Sequence, residues 1–244
     1  MAVSAVLLLA APTVACDGEP DQVPHAAPDT LVLRVQEQRS GPAPWELGRL
    51  PAFSLYGEGR VVVPVESTSA LQQAREFRLP AQEFEWLVAN AGWAGLDQAR
   101  TYEDPNSTDG SLLMVSLRTA DGVRTTRVTD PEAGSQVAAY VEGLPGAPRG
   151  ASEFQPTALA VLATAGVSDG PAAAVPWPLH LLAEGTRTTQ GRCTVVTGDA
   201  LIEAARLAAS AEQETRWSSG GSLYAVSFRP LLPDEHSCGD IDIR

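Results

Sequence analysis

Cys193 and Cys238 are the residues whose type and spacing point most directly to chemistry. The chain has three cysteines, and Cys16 belongs to an N-terminal export signal, so the other two remain as an even pair. In an oxidising compartment this pair predicts a disulfide, which would close a long loop and contribute about 4 kcal/mol by chain-entropy arguments. Two free thiols and a metal-binding pair are the alternatives.

The remaining nucleophiles and bases do not form a known catalytic motif. The three histidines are His25, His180 and His236, and no two of them have the i, i+4 spacing of a helical zinc site. No serine lies in a G-x-S-x-G sequence, so the nucleophile elbow of an α/β-hydrolase is absent. We therefore predict no catalytic residues, although a triad assembled from distant residues stays open.

Two segments carry donors that suit a metal ion. Residues 104–110 (DPNSTDG) offer clustered oxygens for Ca²⁺, but Gly110 falls one residue late for an EF-hand, and Asx-type turns explain the same residues. In the second segment, the C-terminal tail, His236 is close in sequence to Asp234, Glu235 and Cys238. For the tail, we favour the interpretation that these residues are exposed and bind no metal. We predict neither a bound metal nor a cofactor.

The charge composition excludes several classes of function. The formal net charge is −13 and the pI about 4.6, the opposite of the basic surface that nucleic-acid binding requires. All 17 basic residues are arginine, so there is no lysine for a phosphate-binding P-loop, a Schiff base or a Ser-x-x-Lys acyl-enzyme. This amino-acid usage is typical of a GC-rich genome such as those of actinobacteria.

The first sixteen residues have the pattern of a bacterial lipoprotein signal. An apolar run over residues 2–11 is too short to span a membrane and leads through Thr13-Val14-Ala15 to Cys16. We predict that residues 1–15 are a signal peptide, that Cys16 is lipidated, and that the protein is anchored extracytoplasmically in the cell membrane. The n-region has no basic residue, and Thr13 stands where leucine is usual. Simple secretion with a spare Cys16 thiol, and a cytosolic protein, are the alternatives.

Composition and hydrophobic periodicity divide the mature chain into two α+β units, with antiparallel sheets and helices packed on one face. Residues 16–29 predict a flexible tether, residues 30–145 a first unit, residues 146–152 a linker, and residues 153–244 a second unit. The predicted strands cover residues 31–35, 53–56, 60–63, 76–79, 112–117, 123–128, 192–196 and 223–228. The predicted helices cover residues 80–92, 130–144 with Asp130 as N-cap, 156–165 and 198–211.

A short internal echo suggests that the two units are related in tandem. Residues 110–118 (GSLLMVSLR) and 221–229 (GSLYAVSFR) are identical at six of nine positions. If the two strands are equivalent, each lies in an antiparallel sheet beneath the preceding helix and buries alternate side chains. The predicted buried residues are Leu113, Val115 and Leu117 in the first strand and Tyr224, Val226 and Phe228 in the second. Convergence of two alternating strands is the alternative.

Tryptophans are the residues most able to build an interaction surface. Trp86 and Trp93 are one heptad apart on a single predicted helix, which favours core packing over exposure. Trp177 lies between Pro176 and Pro178, and we predict that it is exposed and anchors an interface.

Three stretches of the chain resemble a family of uncharacterised actinobacterial lipoproteins. They are residues 51–61 (PAFSLYGEGRV), residues 175–179 (VPWPL) and the tail 227–235 (SFRPLLPDE) with Cys238. The resemblance covers both units and implies an exported protein of the same kind. The family has no established activity, so the resemblance supplies no catalytic residues.

These observations predict a lipid-anchored extracytoplasmic protein that acts as a non-catalytic binding or interaction module at the cell envelope. Its expected partners are the membrane, through the anchor, and an unidentified envelope protein or ligand, but not nucleic acid. An envelope-associated hydrolase and a passive structural lipoprotein are the competing functions. An apolar groove beside carboxylates with perturbed pKa would favour the hydrolase, whereas an exposed aromatic patch would favour the binding module.

Overall fold

The computed structural model describes residues 26–38, 48–103, 112–129, 134–166, 174–189 and 191–241. Within these residues the chain forms two β-sheets and three α-helices, which is the predicted α+β architecture. No helix in these ranges is long and apolar enough to cross a membrane. The signal peptide and Cys16 lie outside the described residues.

The first sheet has eight strands and carries two helices on one face. Its strands are β1 (Leu31–Gln38), β2 (Phe53–Tyr56), β3 (Arg60–Val65), β4 (Gln73–Arg78), β5 (Thr101–Tyr102), β6 (Leu112–Thr119), β7 (Gly122–Val128) and β8 (Ser152–Glu153). They are arranged in the order β5-β7-β6-β1-β2-β3-β4-β8, and only the edge pair β5–β7 is parallel. The two helices are α1 (Ala81–Trp93) and α2 (Ser135–Glu142).

The second sheet has six strands and one helix. Its strands are β9 (Ala158–Ala165), β10 (Val175–Pro176), β11 (Thr186–Thr188), β12 (Gly191–Thr197), β13 (Arg216–Ser219) and β14 (Ser222–Pro230). They are arranged in the order β10-β13-β14-β9-β12-β11, and only the edge pair β10–β13 is parallel. The helix α3 (Gly198–Ala209) packs against the face formed by β9, β12 and β14.

The first sheet extends through the segment predicted as a linker. Residues 146–152 lead into β8, where Ser152 pairs with Glu76 of β4. The amide of Phe154 then donates to the carbonyl of Ala74 at 2.9 Å. The passage from the first sheet to the second therefore falls between β8 and β9.

The predicted helix over residues 156–165 is wrong, because this segment forms β9, a central strand of the second sheet. Its alanine-rich sequence has no period-two alternation, since both faces of the strand are covered. Leu159, Val161 and Ala163 pack on the side of α3, whereas Ala160 and Leu162 pack on the opposite side. A strand buried on both faces is a continuous apolar run, which periodicity alone does not distinguish from a buried helix.

The other predicted elements are found within a few residues of their expected bounds, with one difference in capping. The helix α2 begins at Ser135, and Gly134 occupies the N-cap position. The predicted cap, Asp130, lies outside the described residues.

The residues predicted to be buried from the internal echo are buried except Leu113, but burial does not alternate, because Met114 in β6 and Ala225, Ser227 and Arg229 in β14 are buried as well. Val115 and Leu117 are buried in the same cluster as α1, and Leu113 is half-buried at its edge. Tyr224, Val226 and Phe228 are buried beneath α3. The connections differ, because β6 is the first strand of its hairpin and β14 is the second strand of its own. The likeness between the units therefore does not extend to the order of the hairpin strands.

The predicted disulfide between Cys193 and Cys238 is present, with 5.9 Å between the two Cα atoms. It attaches the C-terminal tail to β12, and both cysteines are buried with Leu231 and Ile241. The tail therefore packs on the face of the second sheet that α3 does not cover. Near it, Leu232 joins a cluster on the face of the first sheet opposite α1.

A buried ion pair fixes the tail between the two sheets. Arg229 of β14 donates from Nη1 and Nη2 to the two carboxylate oxygens of Glu235, at 2.5 and 2.9 Å, and both side chains are 1% exposed. The amide of Leu232 also donates to Glu235, at 2.9 Å. Arg34 of β1 lies 3.4 Å from the same carboxylate and donates to Asp234 at 2.7 Å. The expectation of an exposed tail is therefore wrong at Glu235.

Tyr56 adds a hydrogen bond from the first sheet to the tail. Its hydroxyl donates to Asp234 at 2.9 Å and accepts from Arg34 at 3.2 Å. Burial raises the pKa of Tyr56, so this hydroxyl stays protonated and remains a donor. The first sheet thus contacts the tail through a cation and a neutral donor.

The surrounding charges keep Glu235 ionised despite its burial. Burial alone would raise the pKa of this carboxyl, because it disfavours the charged form. The guanidinium of Arg229, together with Arg34 and the Leu232 amide, outweighs burial and lowers the pKa of Glu235 below its ordinary value. Folding therefore favours the ionised carboxylate at neutral pH.

Replacing Glu235 by glutamine tests the contribution of this pair. The variant leaves Arg229 and Arg34 as buried cations without their shared anion, so we expect the free energy of unfolding at pH 7 to fall by about 3–5 kcal/mol. Since the folded-state pKa of Glu235 is lowered, its contribution is complete above the unfolded pKa of about 4.3 and is lost as the pH falls through the folded value. The stability gap between wild type and variant, measured by urea denaturation, should therefore narrow below about pH 4.

The matched control is Glu203→Gln, which removes an exposed carboxylate that pairs with Arg206 at 2.7 Å on α3. This variant should leave the midpoint of denaturation unchanged, because exposed pairs contribute little. A gap for Glu235→Gln that stays constant between neutral and acid pH would contradict the assignment of an ionised, stabilising carboxylate.

Candidate interaction surface

A groove between α1 and α2 carries two strongly exposed tryptophans. Trp86 is 64% exposed and Trp93 is 84% exposed. Both line a groove of about 380 Å³, and Tyr140 and Leu144 from the α2 side line it with them. The prediction that Trp86 and Trp93 pack in the core is therefore wrong. We call this region, between α1 and α2, the aromatic groove.

The helical geometry of α1 explains the error. Leu87, Val88 and Ala91 form the buried stripe that faces the first sheet. At 100° per residue, Trp86 and Trp93 share a side of the helix as their heptad spacing predicts, but that side points away from the stripe. Leu87, Val88 and Ala91 already form a complete apolar stripe without the tryptophans. The two tryptophans are therefore additional apolar residues outside that stripe, and this feature of the sequence could have indicated that they are exposed.

Hydrogen bonds hold the two walls of the aromatic groove. The hydroxyl of Tyr140 on α2 donates to the carbonyl of Leu87 on α1 at 3.2 Å. Burial raises the pKa of Tyr140, so the hydroxyl remains a neutral donor. On α1, the side-chain amide of Asn90 donates to the carbonyl of Trp86 at 2.7 Å. The helices are thus linked directly, and the tryptophans project from a supported backbone.

The helices that form the aromatic groove carry charges of only one sign. Glu83 and Glu85 on α1 and Glu142 on α2 are exposed, and neither helix contains a basic residue. Glu83 lies one turn before Trp86, which places it on the same side of the helix. None of these carboxylates lines the aromatic groove, and Glu85 and Glu142 lie on the sides of their helices that are turned away from the lining residues.

The prediction that Trp177 is exposed and anchors an interface is wrong. Trp177 is only 8% exposed and packs edge-on against Trp217, with 5.2 Å between the ring centroids. It also contacts Phe228, and its Nε1 donates to the carbonyl of His180 at 2.8 Å. Flanking prolines fix the backbone here, but the indole fills the core beneath α3. Its role is packing.

The residues considered for metal binding do not come together. No cluster of three or more histidine, cysteine, aspartate or glutamate side chains suited to a metal occurs in the described part of the chain. His236 is exposed, while Cys238 is in the disulfide and Glu235 is paired with Arg229. Residues 104–110 and His25 lie outside the described residues.

A larger cleft of about 830 Å³ lies where the first sheet meets β14. Its lining includes the amide side chain of Gln72 and the hydroxyl of Ser227. Gln72 accepts from the amide of Leu50 at 2.9 Å and donates to Ser227 at 2.9 Å, so it holds the two units together. These bonds explain Gln72 and Ser227 as structural residues.

Among the described residues, no carboxyl group whose pKa is shifted lines the aromatic groove or the cleft. Hydrogen bonds from the amide of His236 and from Ser237 lower the pKa of Asp240. A hydrogen bond from Arg206 lowers the pKa of Glu203. A general acid needs a raised pKa near the pH at which it works, and these groups are shifted in the opposite direction. They stabilise their own segments.

No protein-family model matches the chain, no curated protein is significantly similar to it, and no solved structure matches its fold.

Proposed function

We propose that this protein is a lipid-anchored, extracytoplasmic binding module whose partner occupies the aromatic groove. The observation that carries the proposal is the exposure of Trp86 and Trp93 on one side of α1. Large aromatic side chains at a concave surface, held by a rigid scaffold, are typical of interaction sites. Binding would bury both indoles, which gives a physical reason for their position.

The N-terminal pattern supports anchoring at Cys16, and the disulfide is consistent with an oxidising compartment. Ala26, ten residues after Cys16, packs against the cluster that α1 covers. Ten residues span at most about 35 Å, so a lipid at Cys16 would keep the aromatic groove close to the membrane surface. Membership of the actinobacterial lipoprotein family belongs to this proposal and rests on the three stretches that carry the resemblance.

The groove favours a binding module over the two competing functions. A hydrolase would need carboxylates or a nucleophile converging on a cavity, and the shifted carboxyl groups among the described residues serve ion pairs and turns instead. A passive structural lipoprotein gives no reason for two exposed indoles in one groove.

The anchoring is tested by Cys16→Ser. Without the thiol no diacylglyceryl group can be attached, so the variant should move from the membrane fraction to the medium, as immunoblotting of cell fractions measures. The double variant Cys193→Ser/Cys238→Ser is the control, since it also replaces cysteines by serine but keeps Cys16 and should stay membrane-bound. A Cys16→Ser protein that remains in the membrane fraction would refute lipid anchoring.

The binding surface is tested by photo-crosslinking in intact cells. A photoreactive amino acid at Ala139, in the wall of the aromatic groove, should give defined adducts that disappear in Trp86→Ala/Trp93→Ala. Because both tryptophans are exposed, this double variant should fold normally. The same amino acid at Ile202, an exposed apolar position on α3, is the control and should give no such adducts. Adducts that persist without the tryptophans would exclude the groove as the binding surface.

A further inference from the structure

We propose that the aromatic groove binds a neutral glycan, a chain of at least two linked sugar rings without charged groups. This inference rests on the proposed function of the groove as a binding surface and adds the chemical class of its ligand. It follows from the uncharged lining of the groove, from the order of aromatic and amide side chains along it, and from its concave shape.

The described residues that line the aromatic groove carry no charge. All ten are apolar, aromatic or neutral polar residues. Glu83, Glu85 and Glu142 belong to the same two helices, but none of them lines the groove. An ionised group loses water when it enters a groove and needs an opposite charge in return. The lining residues offer none, so they favour an uncharged ligand.

Two indoles provide flat apolar surfaces along α1. Trp86 and Trp93 each expose more than half of their surface, and they are separated by two turns, about 10 Å along the helix axis. One face of a pyranose ring consists of C–H groups, which pack on the flat face of an indole as other apolar groups do. A single sugar ring cannot cover both indoles at this spacing, whereas two or more linked rings can.

Neutral hydrogen-bonding side chains lie between the indoles and across the groove from them. Asn90 lies between the two tryptophans along α1, and it donates to the carbonyl of Trp86 at 2.7 Å, which leaves its side-chain oxygen as an acceptor. Gln136 on α2 is exposed one turn before Tyr140, and its amide makes no hydrogen bond within the described part of the chain. An amide both donates and accepts, as each sugar hydroxyl does, so these side chains suit a polyhydroxylated ring.

The shape of the groove argues against a lipid surface and a second copy of this chain. A flat bilayer does not enter a concave groove of about 380 Å³, a volume within the range of small-ligand sites. Two copies that met symmetrically through this face would place one concave surface against another and leave a void between them. A neutral peptide is the remaining alternative. A peptide bound through its main chain needs an exposed strand edge, and the two helices that form the groove have none.

The test uses the full mature chain with Cys16 replaced by serine, titrated calorimetrically with hexasaccharides. Cellohexaose, maltohexaose, mannohexaose and chitohexaose are neutral, and a hexamer of galacturonic acid is the charged counterpart. We expect at least one neutral hexasaccharide to bind and the galacturonic acid hexamer to show no heat. The affinity should not change with salt, because no ion pair contributes to it. The corresponding monosaccharide covers one indole only, so it should bind about tenfold more weakly.

Two variants separate the aromatic and the hydrogen-bonding contributions. Trp86→Ala/Trp93→Ala should weaken binding of the neutral hexasaccharide at least about tenfold, because both stacking surfaces are lost. Gln136→Ala should weaken it about threefold to tenfold, the loss expected for one hydrogen-bonding side chain.

Two matched controls make the same kinds of change outside the groove. Ile202→Ala truncates an exposed apolar side chain on α3. Gln155→Ala removes the amide of an exposed glutamine that belongs to neither groove helix. Both controls should leave the affinity for the hexasaccharide unchanged.

Several results would overturn the inference. Among the sugars, they are the absence of binding by every neutral hexasaccharide, equal binding of the galacturonic acid hexamer, a monosaccharide that binds as tightly as its hexamer, and binding that either variant leaves unchanged. Among the other occupants, they are tryptophan-dependent binding of an uncharged peptide that alternates serine with leucine, or of vesicles of phosphatidylglycerol and phosphatidylcholine. If the crosslinks in cells depend on Trp86 and Trp93 but no neutral hexasaccharide binds, the proposed function stands and the glycan is wrong.

Discussion

The bidentate pair between Arg229 and Glu235 is the constraint that fixes the tail between the two sheets, beside the hydrogen bonds that residues 67–72 make with β14 and with the C-terminal end of α3. A guanidinium buried to this degree destabilises the fold unless an anion accompanies it, and the tail delivers a carboxylate to both of its outer nitrogens. The disulfide at Cys238, three residues further on, limits where that tail can go. Arg34 then connects the first sheet to this tail, through a hydrogen bond to Asp234 across 200 residues of sequence and a contact of 3.4 Å with the Glu235 carboxylate. Covalent and ionic links thus converge on one short segment.

This arrangement explains why the aromatic groove lies on an outer surface. Each sheet packs one face against its helices and the opposite face toward the tail, through the Leu232 cluster on one side and the disulfide cluster on the other. The sides of α1 and α2 that point away from the first sheet have no further layer among the described residues to cover them. A binding surface there can lose its partner without disturbing the core, since its indoles contribute little to folding.

Local patterns in the sequence predicted secondary-structure elements better than they predicted which side chains are buried or exposed. Alternation identified the hairpins around residues 57–59 and 120–122, and an even cysteine pair identified the disulfide, because these signals arise from neighbouring residues or from simple pairing. β9 was mistaken for a helix since burial on both faces removes alternation. The wrong predictions for the tryptophans have one cause. The prolines around Trp177 restrict its backbone, and the heptad spacing of Trp86 and Trp93 places them on one side of a helix. Neither pattern says whether another layer of the protein covers the side chain, and that decides its exposure. The Arg34–Glu235 contact joins distant segments and left no local signal at all.

We expect the tail to make the two sheets one cooperative unit. Native-state hydrogen exchange of the wild-type protein at neutral pH measures this directly, by comparing the free energies of opening of amides in β1 and β6 with those in β9 and β14. The most protected amides of both sheets should open with the same free energy and with the same dependence on denaturant. Two sheets that open independently, with free energies differing by more than about 2 kcal/mol, would contradict the role given to Glu235 and its neighbours.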